Sequence, residues 1–514
     1  MTTLSSLNAA TTAALAPLAD SASRAPVVAA NAIDGQSVAL SSPSTIVTIP
    51  SSIGMVALET YTPAGTLAGA APAITTASDS RDAVTLRMLG NYTSAQTMTG
   101  QFSGVGSALL DRFKTTGGDF SQSVSTTGGM VPLSPQGPEG EIGLTVKTKS
   151  GVTVEIEIDS GDGRLSASIK SSGKLSDSER SAVAQLADGF QQAIDGLGAS
   201  PPKLDLGGLT QFDTSALASV NFQYNVTNDG SADVSASYSQ SSASRSLSVK
   251  SAEGALDVSV DTSNSALWGT GSQRAASVAS YLQQFDQANS RGHGNAALMS
   301  MFEDGFAQMN DDYGTPSGQV LPGAAYAPAL QQADQAMLTG LGDFSASITD
   351  AATSPNPMRP GEVDAFSYQV SQTTKLAGSQ LDGQITQHQQ SRLSASYHQA
   401  LSGGGEPALT SSRSSQNYDY VQIDDRADST VQIATERGAL RDASLNQSSG
   451  QKTRDSKYEE GKLISDTTTP EETSRSSDLL ALLKPLIDNG DATRDSAEWQ
   501  QALSGIHRMI QLGA

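Results

Sequence analysis

Residues 141–197 constrain the fold more than any other stretch of the chain. Ile142, Leu144 and Val146 alternate with polar residues, and a Ser150-Gly151 turn follows. Val152, Val154, Ile156 and Ile158 then alternate with Thr153, Glu155 and Glu157. Beyond Gly161-Asp162-Gly163, Leu165, Ala167 and Ile169 alternate with Ser166 and Ser168. A period of two gives each segment one apolar and one wet face, which predicts three strands. The next apolar set has helical spacing. Val183, Leu186, Ala187, Phe190, Ile194 and Leu197 fall on one stripe. Ser176 and Glu179 stand at the spacing of a capping box, worth about 1 kcal/mol. Pro201-Pro202 then forces extended chain. Leu204, Leu206, Leu209 and Phe212 read as a strap returning over the helix.

The same succession is expected twice more. Phe222, Tyr224 and Val226 open a second set of alternating strands that ends near Val260, with helices carrying Phe285 and Phe302 behind it. A third set fills 363–465, with strands around Phe366–Val370, Tyr418–Ile423 and Val431–Ile433. Residues 380–400, rich in Gln and Ser, fit neither period. Thr469 reads as the cap of a helix with Pro470 in its first turn, running to Ile487 with a kink at Pro485. Trp499, Leu503, Ile506 and Ile510 form the stripe of a last helix. The predicted class is therefore α+β: antiparallel β-meanders each followed by amphipathic helices, behind a low-complexity N-terminal tail.

The predicted boundaries follow. Residues 1–80 are an irregular Ser/Thr/Ala/Pro-rich tail, with Thr45–Ile49 and Met55–Leu58 as short edge strands. Residues 81–126 form a helical segment with Phe102, Val105, Leu109, Leu110 and Phe113 on one face. Meander-plus-helix units occupy 141–310, a helical connector 326–350, and a meander with C-terminal helices 363–514.

Composition removes several functions. The net charge of −22 repels phosphate backbones, so no nucleic-acid partner is expected. There is no cysteine, which excludes disulfides, thiolate nucleophiles and cysteine-held metal clusters. No apolar run approaches the roughly 20 residues that span a bilayer, so no membrane insertion is expected. The first basic residue is Arg24, so no secretory signal is expected either. The expected location is cytoplasmic, with export by a signal-independent route as the alternative.

Motifs for chemistry are sparse. The four histidines, His293, His388, His398 and His507, lack zinc-ligand spacing. No nucleophile elbow or phosphate-cradling glycine loop occurs. His388 and His398, ten residues apart in the Gln/Ser-rich region, are the candidates for a catalytic base. Asp159 and Asp162 resemble the start of a calcium loop, but Lys170 stands where the bidentate Glu belongs, and a hairpin turn accounts for them. No cofactor is expected.

Charged residues make up 16% of the chain, against about 25% in an average domain, and Ser, Thr, Gln and Asn replace them. Wet sheet faces of that kind suit contact with a protein or carbohydrate surface. The leading expectation is a non-enzymatic structural or interaction protein using Ser/Thr-rich sheet faces. The alternatives are a metal-free hydrolase with a site near 388–398, and an effector addressed by residues 1–80. The sequence specifies no oligomeric state.

Three stretches carry a resemblance: Leu109–Val124 (LLDRFKTTGGDFSQSV), Leu175–Asp213 and Ser477–Ile487 (SDLLALLKPLI). They resemble a family of gammaproteobacterial proteins of about this length to which no activity is attached. The resemblance spans roughly 85–487. It implies one continuous architecture of bacterial origin and assigns no residue a role.

Overall fold

The computed structural model describes residues 73–77, 82–95, 98–127, 139–161, 163–228, 231–313, 332–379, 381–402, 405–488 and 497–512. Of the tail expected at 1–80, residues 1–72 and 78–80, with both expected edge strands, lie outside them, whereas Ala73–Thr76 is not irregular but a strand, held by pairing with Val124–Thr127.

The first strands are β1 (Ala73–Thr76), β2 (Phe120–Thr127), β3 (Glu139–Thr148), β4 (Thr153–Gly161) and β5 (Arg164–Ser171). Next come β6 (Leu217–Asn228), β7 (Ser231–Ser241), β8 (Ser244–Ser251), β9 (Gly254–Asp261) and β10 (Asp343–Asp350). The last are β11 (Ala365–Gly378), β12 (Gly383–Ala400), β13 (Tyr418–Glu436), β14 (Ala439–Glu459) and β15 (Lys462–Asp478). Among the described residues they form one antiparallel sheet of 15 strands, in the order β1-β2-β5-β4-β3-β6 and then sequentially to β15.

The class is α+β, but separate meanders closed off by helices are not what forms. The expected units are fused: β3 pairs with β6 through Leu144↔Phe222, and β9 pairs with β10 through Val258↔Ala346. An unpaired strand edge leaves a row of backbone donors and acceptors unsatisfied, and joining the next strand satisfies it.

The helices are α1 (Ala83–Ser94), α2 (Met98–Phe102), α3 (Val105–Thr116), α4 (Asp177–Ala184), α5 (Ala187–Leu197) and α6 (Gly207–Thr210). They continue with α7 (Gly271–Gly292), α8 (Ala296–Asn310), α9 (Gln332–Ala336), α10 (Leu479–Asp488) and α11 (Ala497–Met509). They pack on one face of the sheet. One cross-strand row shows that face well: Phe120, Ile169, Ile156, Leu144, Phe222, Tyr238, Leu247, Val258, Ala346 and Val370 stand opposite one another from β2 to β11. Each of these is at most 9% exposed.

The 141–197 stretch folds nearly as its pattern predicts. Ser176 Oγ accepts from the Glu179 amide at 3.3 Å, and Glu179 Oε2 accepts from the Ser176 amide at 3.0 Å. Hydrogen bonds from Ser150 and Ser176 pull the Glu179 carboxyl down to about 2. The single expected helix is broken into α4 and α5 by a turn at Gln185-Leu186. Leu204, Leu206, Leu209 and Phe212 are buried, as the strap requires. Gln308 clamps it by accepting from the Leu206 amide at 2.6 Å and donating to the Leu204 carbonyl at 3.0 Å. α5 and α6 touch at Gly189 and Gly208. A Cβ on Gly189 would stand 2.5 Å from the Gly208 carbonyl carbon, so only glycine fits.

Three departures share one physical origin, alternation hidden by polar or helix-like residues. The expected connector 326–350 contains α9 but ends in β10, whose Phe344, Ala346 and Ile348 alternate inward. Likewise the expected helical segment 81–126 ends in β2. Thr469 and Pro470 do not start a helix; they lie in β15, opposite Thr453 and Lys452. Proline is tolerated there because β15 is an edge strand. The helix begins only at Leu479, where Asp478 Oδ1 accepts from the Ala481 amide at 2.9 Å.

The segments around 418–423 and 431–433 are two ends of the 19-residue strand β13. Ile423 belongs to the main core and Val431 to a second core under α10 and α11. Between the two cores lies a buried belt of side chains that hydrogen-bond to irregular backbone. Gln372 donates to the Leu341 carbonyl at 3.2 Å, and Gln387 accepts from the Thr339 amide at 2.9 Å. Gln389 donates to the Ile510 carbonyl at 3.0 Å and accepts from Tyr281 at 2.8 Å. Ser429 also donates to Ile510, at 3.0 Å, and Gln447 donates to the Met509 carbonyl at 3.1 Å. The Gln/Ser-rich region is therefore a strand in which Gln387 and Gln389 face inward and Gln384 and Gln390 face out.

Candidate interaction surface

Strand alternation that buries the row described above turns the other half of each strand outward. One such row reads Lys170, Glu155, Thr145, Asn221, Ser239, Ser246, Ser259, Ser345, Ser371, Gln390, Asp428, Ser448 and Ser474, from β5 to β15. At about 4.8 Å per strand it extends about 60 Å. Its hydroxyls pair across strands: Ser239 and Ser246 are 2.6 Å apart, and Gln390 Nε2 donates to Ser371 at 3.0 Å. Neighbouring rows repeat the chemistry, with Ser235 donating to Asn225 at 2.7 Å and Thr349 bonded to Ser367 at 3.2 Å. Towards β15 the hydroxyls give way to ion pairs, Arg392–Asp424 at 3.2 Å, Arg426–Glu472 at 3.3 Å and Arg454–Asp466 at 2.7 Å. Each is solvent-exposed and contributes about 0–1 kcal/mol.

His388 lies on this open face, with Nε2 3.3 Å from Asp428 Oδ1. His398 is on the same face of β12, ten residues along, which separates the two by about 33 Å. They do not form one site. His398 is covered by the segment 351–364, and its side chain is 1% exposed. Its Nδ1 is 2.5 Å from Asp364 Oδ1 and its Nε2 is 3.3 Å from Glu362 Oε2. Tyr418 donates to the same Glu362 oxygen at 2.6 Å, and Asn356 donates to the Tyr418 oxygen at 2.9 Å. Burial, with Glu362 as hydrogen-bond partner, pushes the Tyr418 phenol far up. Arg359 completes the clamp by stacking 4.2 Å from the Tyr458 ring centre and donating to the Gly461 carbonyl at 3.1 Å. A histidine enclosed by two carboxylates and a tyrosine holds this segment against the sheet. At 1% exposure its imidazole presents almost no surface to solvent.

The remaining histidines lie on other elements. His293 ends α7 in the left-handed region (φ 56°) and stacks 3.8 Å from Tyr397. His507 Nδ1 is 3.1 Å from the Leu338 carbonyl, and burial holds its imidazole below the usual range. Asp159 sits in β4 and accepts from Ser166 at 3.3 Å, as a hairpin residue does, while Asp162 lies outside the described residues. Among the described residues no three His, Asp or Glu side chains gather as a metal would need, and no helix is long and apolar enough to cross a membrane.

Sequence reasoning missed the pair Arg291–Asp425, a fork from α7 to β13 with the second contact at 3.0 Å. Asp425 was legible only as half of an acidic doublet in a turn-like segment. Compared with protein-family models, with characterised proteins and with solved structures, the chain matches none.

Proposed function

We propose that the protein is a non-enzymatic interaction protein that presents the uncovered sheet face to a partner protein. The observation that carries this reading is the thirteen-residue polar row from Lys170 to Ser474, every member of which is exposed or half-buried and which no helix covers among the described residues. Small hydroxyl side chains bring the partner close to the backbone and supply both donors and acceptors. Among the described residues the large exposed apolar side chains are Ile74, Leu86, Met358, Leu381, Leu463, Ile464 and Leu482, and none of them stands in this row. The enclosed His398 favours the reading over hydrolysis.

The test is site-specific photo-crosslinking in the cells that make the protein. The crosslinker is placed at Ser246 and Ser345 on the open face and at Asp111 on α3 as control. Discrete protein adducts from both serine positions and none from Asp111 are expected. They should disappear when Ser259→Arg is added. Absence of adducts at both sheet positions would overturn the proposal.

A further inference from the structure

The helix-covered face changes character at its C-terminal side. The apolar row that ends at Val370 continues across β12–β15 as Ser391, Ala427, Ser449 and Thr473. These four small residues floor a trough of about 440 Å³. One wall is the C-terminal turn ending in Leu512, pinned by Gln389, Ser429 and Gln447. The other is the Arg291–Asp425 fork, steadied by Thr453, which accepts from Arg291 at 3.1 Å, and by the Lys452 amide at 3.2 Å. α7 closes the inner end with Gln284, Gln287, Ala288 and Arg291, one helical stripe. The outer end opens over the free edge of β15, beside Thr473 and Arg475.

We infer that this trough is a binding site for an unbranched oligosaccharide, with Arg475 favouring a uronate unit. Its volume lies within the roughly 300–1,000 Å³ of ligand sites. Amides and hydroxyls are the largest group in its lining, beside the ion pair Arg291–Asp425 and the charged Arg426, Asp428 and Arg475. Gln284 Nε2 is buried without a hydrogen-bond partner among the described residues, which marks a donor awaiting an acceptor. Arg475 forms no ion pair among the described residues and stands at the mouth. Sugar hydroxyls answer the first and a carboxylate the second. A peptide would need apolar anchor pockets. Here the apolar floor residues Tyr368 and Leu393 are each 4% exposed and already filled around. The open end lets a chain longer than the trough continue past β15. The trough also touches Asp428, Ser448 and Ser474 at the end of the partner row, but the crosslinking positions Ser246 and Ser345 lie outside it, so each proposal can fail alone.

The test is calorimetric titration of the full chain with cellotetraose, tetragalacturonate and tetra-alanine. Saturable binding of both oligosaccharides is expected, with the uronate at least about threefold tighter. Ser449→Trp fills the floor from an exposed position and should weaken both about tenfold or more. Arg475→Gln should remove the uronate preference and leave cellotetraose unchanged. Ser246→Trp on the other face should change nothing. No saturation by either oligosaccharide to about 10 mM would overturn the inference. So would binding of tetra-alanine alone, or binding insensitive to Ser449→Trp. If Arg475→Gln leaves the preference intact, the role given to Arg475 fails.

Discussion

The span from β2 to β10 and the span from β11 to β15 belong to one hydrogen-bonded sheet but are held by different forces. Strands β2–β10 are 8–12 residues long and bury an unbroken apolar row under α1–α8. Strands β11–β15 are 14–21 residues long, and their continuation of that row is Ser391, Ala427, Ser449 and Thr473. A fully buried large apolar side chain contributes about 1.5–3 kcal/mol, whereas an exposed ion pair contributes about 0–1 kcal/mol. The first span is thus stabilised by burial. The second relies on its ladder, its amide belt and a small core under the last two helices. In β15 every residue except Ser477 is exposed. A continuous sheet does not imply uniform stability.

The sharpest way to break this contrast is at Phe222, which is 1% exposed and meets Phe190 edge-on at 6.0 Å. Phe222→Ala should cost about 3–5 kcal/mol in chemical denaturation. A cost near zero would remove the claim that burial holds the first span. Gln389→Leu probes the second span. It strands the Tyr281 hydroxyl, at about 1–3 kcal/mol, and leaves the Ile510 carbonyl to Ser429 alone of its two donors. Hydrogen exchange should then quicken in α11 while β3–β9 stay protected. Uniform loss of protection would mean that the two spans unfold as one.

A smaller effect comes from α8. Burial, with Asp286 nearby, pushes the Glu303 carboxyl from 4.5 to about 7. Between those values the folded protein keeps a proton that the unfolded chain has released. Stability therefore falls as pH rises through this window. Glu303→Gln should flatten the slope and gain about 1 kcal/mol at pH 8, after discounting for partial exposure. Thermal melts at pH 5 and pH 8 decide it; an unchanged slope would sink it. The smallest effect is expected at β15, where Arg426→Gln and Arg454→Gln should each cost less than about 0.5 kcal/mol, and less still in high salt.

How much of this could be read from the chain depends on which signal each residue carries. Ile156, Phe190 and the Ser176–Glu179 box announce their places because apolar spacing and capping chemistry are local. Leu338 and Leu341 are spaced as a helix would space them, although α9 stops at Ala336 and the chain turns into β10. β12 and β14 were obscured because their inward positions include Gln387, Gln389, Gln447 and Ser449, residue types that ordinarily face water, and β15 because it buries no face at all. The long-range partners of His398 and Asp425 depend on tertiary packing. Nothing near them in sequence specifies it.

The amide belt has a consequence for how the long strands find their alignment. Sliding β13 two residues along β12 would keep every side chain on its present face. In strands so rich in Ser, Thr and Gln, such a slip would change the buried apolar area little. It would, however, carry Ser429 away from the Ile510 carbonyl and part it from Gln389, leaving buried groups unpaired. In this half of the sheet the ruler that sets the alignment is a handful of glutamines reading two stretches of irregular backbone.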